Sequence, residues 1–598
     1  MNLRTFGIIG IAIVATVCCV LEARAAVYPE TSYQEFARVR YFDAHNHLAG
    51  VLPYYAYANL PAYVAGFSDP TQKVSLTDKL ELFNYLANTW YPADGVALGD
   101  KLFSPADGQR FALGARAALA VYKDRVAGSP IDIDGALERV LSATPWTEFD
   151  SAYAFRGGPV AEYERTKIYA GDAARMSADH CKATVLDIAA TNLQISEQSL
   201  SFVHGWNLKD GHSDKLDTIQ CVLGAANDAS IAASLKAMGK SMPLIKIVLM
   251  THTAELAAQS GGAQYSEWAK DGSCRPVDFP QYLTTTPDMI YNALLGKGDD
   301  GSALIAPDQL SAFEDTVIGI DTAGPETTCF TPDGMANYGK LVEAVYNAAK
   351  ARRAAGWHGK LLVHTHVGEG AAIDFAPSPP PLPWTFASVF ATLPSVRSDP
   401  SQAHDNIGTL LSAIRAFEAA HPDTKDLLVF RLAHDTWASD DEAQAMHDLG
   451  VEADVSLESN VATGAYPIAR MPIGAAAILT EDVDPVVSNP DTNLQLNDLL
   501  GSVVRDPTNR AQVGAILGAA SLKFLLERHV RCLLGTDAAG VEHSDIAKEY
   551  DYAYALIGFW NDTDPDFHAL AAGIPESALF DNVRWHLKSM STDAAQPY

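Results

Sequence analysis

Apolar residues along the chain fall into two alternating kinds of segment. Short runs rich in branched aliphatics occur at 40–44, 244–250, 316–320, 360–363, 427–432, 451–457 and 530–534. Runs of this length and composition predict strands buried on both faces. Alanine-rich stretches of helical character lie between them, such as 338–355 and 407–420. Strand alternating with helix predicts an α/β fold with a parallel sheet. The long stretch 80–156 reads as mostly helical, an insertion between the first and second strands. Two segments read as loops: 296–307, and 376–383 with its Pro379-Pro380-Pro381 run. Neither marks a domain boundary, and there is no internal repeat.

The chain has 598 residues, 48% of them hydrophobic and 19% charged. That is globular composition, and one elaborated barrel reaches this size. The first 25 residues read as a secretory signal: Arg4, an apolar run over 6–21, then Ala23-Arg24-Ala25 as a small-x-small cleavage site. The run is short for a membrane span, the alternative being an uncleaved anchor. The expected product is residues 26–598, exported to a periplasmic or extracellular space after cleavage near Ala25. The net charge of −30 repels phosphate backbones and anionic lipid, so neither nucleic acid nor a stable membrane association is expected.

Seven cysteines are present, and cleavage would remove Cys18 and Cys19. The remaining five are too widely spaced for a disulfide scaffold or a Cys-x-x-Cys zinc site. One bridge is expected, Cys274 with Cys329, because both lie in Gly/Pro-rich loop sequence.

Chemistry concentrates at the ends of the strand-like runs. His45 and His47 are two apart, and period 2 turns both imidazoles to one face, which is half a zinc site. His366 ends another run and offers a third nitrogen, with His364 on the same face as a pocket residue or a hydrogen-bonded core histidine. Glu369 follows Gly368, whose freedom allows a sharp turn off the strand. Asp537 supplies a carboxylate, completing three nitrogens and one oxygen. A site that leaves room for water is catalytic in type, and zinc lowers the pKa of a coordinated water to about 7. His434 is placed to orient or deprotonate that water. Asp321 and Gly324 end the run at 316–320 and are the expected substrate-binding residues, the glycine letting backbone approach a ligand.

Other motifs do not hold together. Gly296-x-Gly298-x-x-Gly301 follows helix-like sequence and encloses Asp299-Asp300, which repels phosphate. The chain has no Gly-x-Ser-x-Gly elbow, Walker loop, His-Glu-x-x-His helix or Pro-Cys-x-x-Cys deaminase signature.

Five segments in order, Asp-Ala-His-Asn-His at 43–47, Gly-Ile-Asp-Thr-Ala-Gly at 319–324, His-Val-Gly-Glu at 366–369, Ala-His-Asp at 433–435 and Gly-Thr-Asp at 535–537, resemble the adenosine deaminase family of the amidohydrolase superfamily. The likeness is greatest to its larger, secreted adenosine deaminase-like members. The resemblance implies a (β/α)8 TIM-type barrel with helical insertions over the C-terminal mouth. It implies one Zn2+ per chain, held by His45, His47, His366 and Asp537. Glu369 would hand a proton to the purine ring nitrogen, and His434 would orient the attacking water. Gly324 would contact the purine through its backbone, and Ser459-Asn460 would be supportive. Two positions depart from the family pattern: Ala49 and Ala538 stand where aspartates are usual. The expected function is zinc-dependent hydrolytic deamination of adenosine or a related purine nucleoside. The alternatives are an aminohydrolase with another aminopurine or cyclic amine substrate, and a non-catalytic secreted binding protein whose interface is the 80–156 insertion. Intact Glu369 and His434 argue against the last.

Overall fold

The computed structural model describes residues 41–85, 160–203 (except 192), 205–208, 213–253, 264–268, 273–278, 285–324, 328–369, 400–462, 521–542 and 546–570, with a few isolated positions beyond. The leader at 1–25, the loop at 376–383 and the insertion past Tyr85 lie outside the described residues.

Eight parallel strands form one sheet, in sequential order β1-β2-β3-β6-β7-β8-β9-β10. They are β1 (Tyr41–His47), β2 (Leu193–Ser201), β3 (Leu244–His252), β6 (Val317–Ala323), β7 (Leu361–Val367), β8 (Leu428–His434), β9 (Glu452–Val455) and β10 (Cys532–Leu534). The first and last strands meet at a parallel bridge between Asn46 and Asp537, so the sheet curls into a nearly closed barrel. With helices between the strands, this is the (β/α)8 TIM-type barrel. A separate antiparallel hairpin, β4 (Gln264–Trp268) with β5 (Cys274–Asp278), follows β3.

Every residue of β6, β7, β8 and β9 is buried, as expected for strands covered on both faces. The helices end on conventional signals. Thr331 caps Pro332–Ala354, and Ser439 with Glu442 forms a capping box on Asp440–Leu449, which stops at Gly450 in the left-handed region. Inside the barrel, Leu362 shares the alternation of His364 and His366. It packs with Val248, Ile318 and Val429, and Phe42, Ala44, Ile195 and Leu533 form a second small cluster. Gly319 is required by the close approach of β6 to β7, because a Cβ there would sit 2.0 Å from the Leu362 carbonyl oxygen.

Seven of the strands coincide with apolar runs. β2 does not: its inner and outer faces bury Ser196, Glu197, Gln198 and Ser199, so no apolar run marks it. The run at 451–457 stops earlier than its composition suggests, with Leu457 opening the helix Leu457–Ala462. The Cys274–Cys329 disulfide is present and staples the hairpin to the segment after β6. The expectation of a single bridge needs correcting, because Cys181 and Cys221 also pair, joining the helices Ala173–Ala190 and Asp214–Ala225. Those cysteines sit in helical rather than loop sequence, which hid them. Cys532 is a buried free thiol.

Candidate metal centre

Strand ends bring the chemistry-bearing side chains together at the C-terminal mouth. His47 closes β1, His434 closes β8, and His366 is the penultimate residue of β7. Glu369 lies two residues past β7 and Asp537 three past β10. Segments nearly five hundred residues apart in sequence meet because Asp537 is clamped against β1: its N–H donates to the His45 carbonyl at 2.8 Å and its carbonyl accepts from His47 N–H at 2.6 Å. That clamp holds Asp537 at φ +59, a conformation L side chains rarely adopt. Gly535 makes the approach possible, since a Cβ there would lie 2.5 Å from the Cβ of His45. Asp43 locks the same seam, its carboxylate accepting from Thr536 Oγ1 at 2.7 Å and Thr536 N–H at 3.1 Å. Burial pushes the Asp43 carboxyl up to about 7 despite these bonds.

The donors converge. His45 Nε2 lies 3.3 Å from His47 Nε2 and 3.6 Å from Asp537 Oδ1, and His47 Nε2 lies 3.2 Å from the same oxygen. Ring centroids of His366 stand 4.6 Å from His45, 5.4 Å from His47 and 5.2 Å from His434. One ligand atom from each of His45, His366, His434 and Asp537 falls within 4.8 Å of the others, and all four residues are buried. His366 Nε2 has no hydrogen-bond partner despite full burial. Three imidazoles and a carboxylate at these spacings, with an orphaned nitrogen among them, fit a divalent cation of the zinc type.

Burial and neighbouring charges set the protonation preferences of the cluster. Burial holds the His45 imidazole well below its usual pKa, although Asp537 opposes it. Burial also lowers His434, to about 3, so its ring is a neutral proton acceptor at physiological pH. Burial works to raise Asp537, but the His47 hydrogen bond and the nearby His45 hold it below the usual carboxylate range. Ser459 Oγ donates to Asp537 Oδ2 at 2.6 Å.

Glu369 is buried beside His434, with Oε2 3.7 Å from the His434 Nε2. Gly368 makes that placement possible, at φ +79 and with a hypothetical Cβ only 2.6 Å from Ile407 Cδ1. Gly324 sits just past β6 at φ +150, its hypothetical Cβ 3.0 Å from the His252 ring. Asp321, expected from sequence near substrate, is fully buried one residue beyond the Ile320–Val363 pair. Its Oδ1 lies 3.1 Å from the Nδ1 atoms of both His366 and His364, and its Oδ2 accepts from Ser199 Oγ at 2.6 Å. Burial works to raise Asp321, but the two imidazoles keep its carboxyl well below the usual range. Burial in turn opposes protonation of the imidazoles, but Asp321 raises His366 to about 8 and His364 to about 9.

Two further elements were not picked out from sequence. Asp454 of β9 contacts His364 and His45. Arg431 of β8 lies beneath, between Glu197 and Glu452. The signal available was charge inside otherwise apolar strands, as in Glu452-Ala453-Asp454-Val455.

No family model matches the chain, and no curated protein matches it. Among solved structures, it is similar to Arabidopsis ADAL complexed with IMP (13% identity, covering 93% of this chain and 96% of that one, TM-score 0.32). It is also similar to an amidohydrolase with bound Zn from Burkholderia ambifaria (11%, 92% and 93%, TM-score 0.28). A third is adenine deaminase from Arthrobacter aurescens (13%, 80% and 96%, TM-score 0.28).

Proposed function

We propose that the protein is a metal-dependent hydrolytic aminohydrolase that removes ammonia from adenosine or a related purine nucleoside. The observation that carries this reading is the buried convergence of His45, His366, His434 and Asp537 at a barrel mouth, with His47 against His45 and Asp537, and Glu369 beside His434. His45, His47, His366 and Asp537 would hold one zinc ion, leaving His434 to the water. When bound, that ion supplies Lewis-acid activation of water at neutral pH.

The chain's own groups supply the rest. His434, neutral and with Nε2 toward the cluster, accepts a proton from the attacking water and orients it. Glu369 in its protonated form donates to the ring nitrogen next to the amine-bearing carbon, which makes that carbon electrophilic. Gly324 would offer its backbone to the ligand, at a position where a Cβ would press on the His252 ring. Asp321 and Ser459 fix the His366 ring and the Asp537 carboxylate. Export to a periplasmic or extracellular space is part of the reading, supported by the leader-like sequence at 1–25.

The test is turnover by the zinc-loaded protein of adenosine and 2′-deoxyadenosine, followed by ultraviolet absorbance and ammonia release. Ammonia from either supports the reading, and no change with both removes nucleoside deamination. A second reading keeps the chemistry and changes the substrate. It is favoured by Ala538, fully buried where an aspartate would offer a carboxylate to the purine. A panel of aminopurines and cyclic amines decides it, and preference for a non-nucleoside would establish that reading.

A further inference from the structure

Beneath the proposed ligands lies a second buried set of groups, of which only Asp321 has so far been given a role. His364 is 2% exposed, and Asp321 and Asp454 are 0% exposed. His364 stands between the two carboxylates, Nδ1 3.1 Å from Asp321 Oδ1 and Nε2 3.1 Å from Asp454 Oδ2. Each carboxylate then reaches a different ligand ring. Asp321 Oδ1 lies 3.1 Å from His366 Nδ1, and Asp454 Oδ2 lies 3.4 Å from His45 Nδ1. Acid and base therefore alternate along His366–Asp321–His364–Asp454–His45, with a hydrogen bond between His366 and Asp321. At the Asp454 end the contacts are by proximity, since His364 Nε2, His45 Nδ1 and both Asp454 oxygens make no hydrogen bond among the described residues.

In both end rings the nitrogen nearest a carboxylate is Nδ1, hydrogen-bonded in His366 and in contact only in His45, which leaves Nε2 for the metal position. His45 Nε2 faces His47 and Asp537, and His366 Nε2 is the orphaned nitrogen of the cluster. A carboxylate on the far nitrogen of a ligand imidazole fixes its tautomer and its aim. Two carboxylates this deeply buried repel each other unless a cation or donor separates them. One imidazole contacting both offsets that repulsion and sets their spacing.

We propose that His364 and Asp454 are positioning residues, a bracket that joins the two carboxylates and so holds His45 and His366 at the separation a single ion needs. This rests on the metal reading above. The same neighbourhood offers a competing arrangement, because donor atoms of His45, Asp321, His364 and His366 also fall within 4.8 Å of one another. A second ion there would compete for the groups that the bracket pairs.

The experiment uses the full chain, metal-depleted, as wild type, His364→Gln, Asp454→Asn and the double variant. Zn2+ and Co2+ are titrated separately, reading stoichiometry, dissociation constant and the visible spectrum of the Co2+ form. The bracket predicts one ion per chain in wild type. It predicts about 10- to 100-fold weaker binding in each single variant, with an altered Co2+ spectrum. It also predicts no further loss in the double variant, because cutting one chain twice adds nothing. Asp454→Asn, isosteric with the native side chain, keeps the test open should His364→Gln fail to fold. Binding within twofold of wild type with an unchanged Co2+ spectrum in either folded single variant overturns the proposal. Two ions per wild-type chain overturns it too, by showing that the group is itself a site. Failure of the wild type to bind any ion instead removes the metal reading, and the bracket falls with it.

Discussion

Arg431 is the cation on which the barrel floor depends, and replacing it with methionine should be among the costliest single changes in the protein. The guanidinium is fully buried, with Nη1 2.8 Å from Glu197 Oε2 and Nε 3.3 Å from Glu452 Oε2. Nη1 also donates to the Ala44 carbonyl at 2.8 Å. Burial works to lower the Arg431 pKa, but Glu197 and Glu452 raise it above its ordinary value. Arg431→Met leaves two carboxylates, 2% and 0% exposed, without their shared cation. Breaking a buried pair from one side costs about 3–5 kcal/mol, and the lost bond to Ala44 adds about 1 kcal/mol. The cost lies in stranded charge rather than lost attraction. Adding Glu197→Gln and Glu452→Gln to the variant should therefore recover most of it. Urea unfolding followed by tryptophan fluorescence, with chelator present throughout, measures all three proteins. Because Ala44 precedes His45, metal affinity should fall in the single variant as well. A loss below about 1 kcal/mol, or a triple variant no more stable than the single, would refute the reasoning.

Glu369→Gln should lower kcat by at least about 100-fold while leaving metal content unchanged, since the glutamate is assigned to proton transfer and not to ligation. Elemental analysis beside turnover checks both halves, and metal loss would instead mark Glu369 as a ligand. Gly368→Ala should cost about 1–2 kcal/mol through its φ of +79 and also lower kcat, because the 2.6 Å contact with Ile407 must be relieved by moving the turn that carries Glu369. Thermal melting and steady-state kinetics read the two effects. Asp228 caps Ala229–Met238, and hydrogen bonds from Ser230, followed by bonds from Ile231, lower its carboxyl from 3.8 to about 2 against partial burial. Its contribution is present above about pH 4 and is lost as pH falls towards 2. Asp228→Asn keeps the cap acceptor without the titration, so its melting temperature should fall less than the wild type's between pH 4 and pH 2. Equal falls in both would contradict the assignment.

What was legible in sequence follows from the physics of each element. Strands covered on both faces announce themselves as apolar runs, and the motif residues at their ends could be ordered around a barrel before any coordinates. β2 escaped because its inward and outward residues, Ser196 to Ser199, are polar and buried together, so burial left no hydrophobic trace. His364 was legible as a core histidine but not as a link between carboxylates, because Asp454 reaches it only through the β8–β9 pairing. Arg431 and Glu197 are 234 residues apart, and no local pattern announces such a pair. Cys274–Cys329 could be guessed from loop composition, whereas Cys181–Cys221 depends on how two helices pack.

The most direct measurement is anomalous diffraction from crystals of the purified protein, recorded on either side of the zinc absorption edge. The account predicts one peak per chain, about 2.0–2.1 Å from the Nε2 atoms of His45, His47 and His366 and about 2.0–2.2 Å from an Asp537 oxygen. No peak at the barrel mouth after zinc loading, or a peak coordinated by other residues, would contradict it.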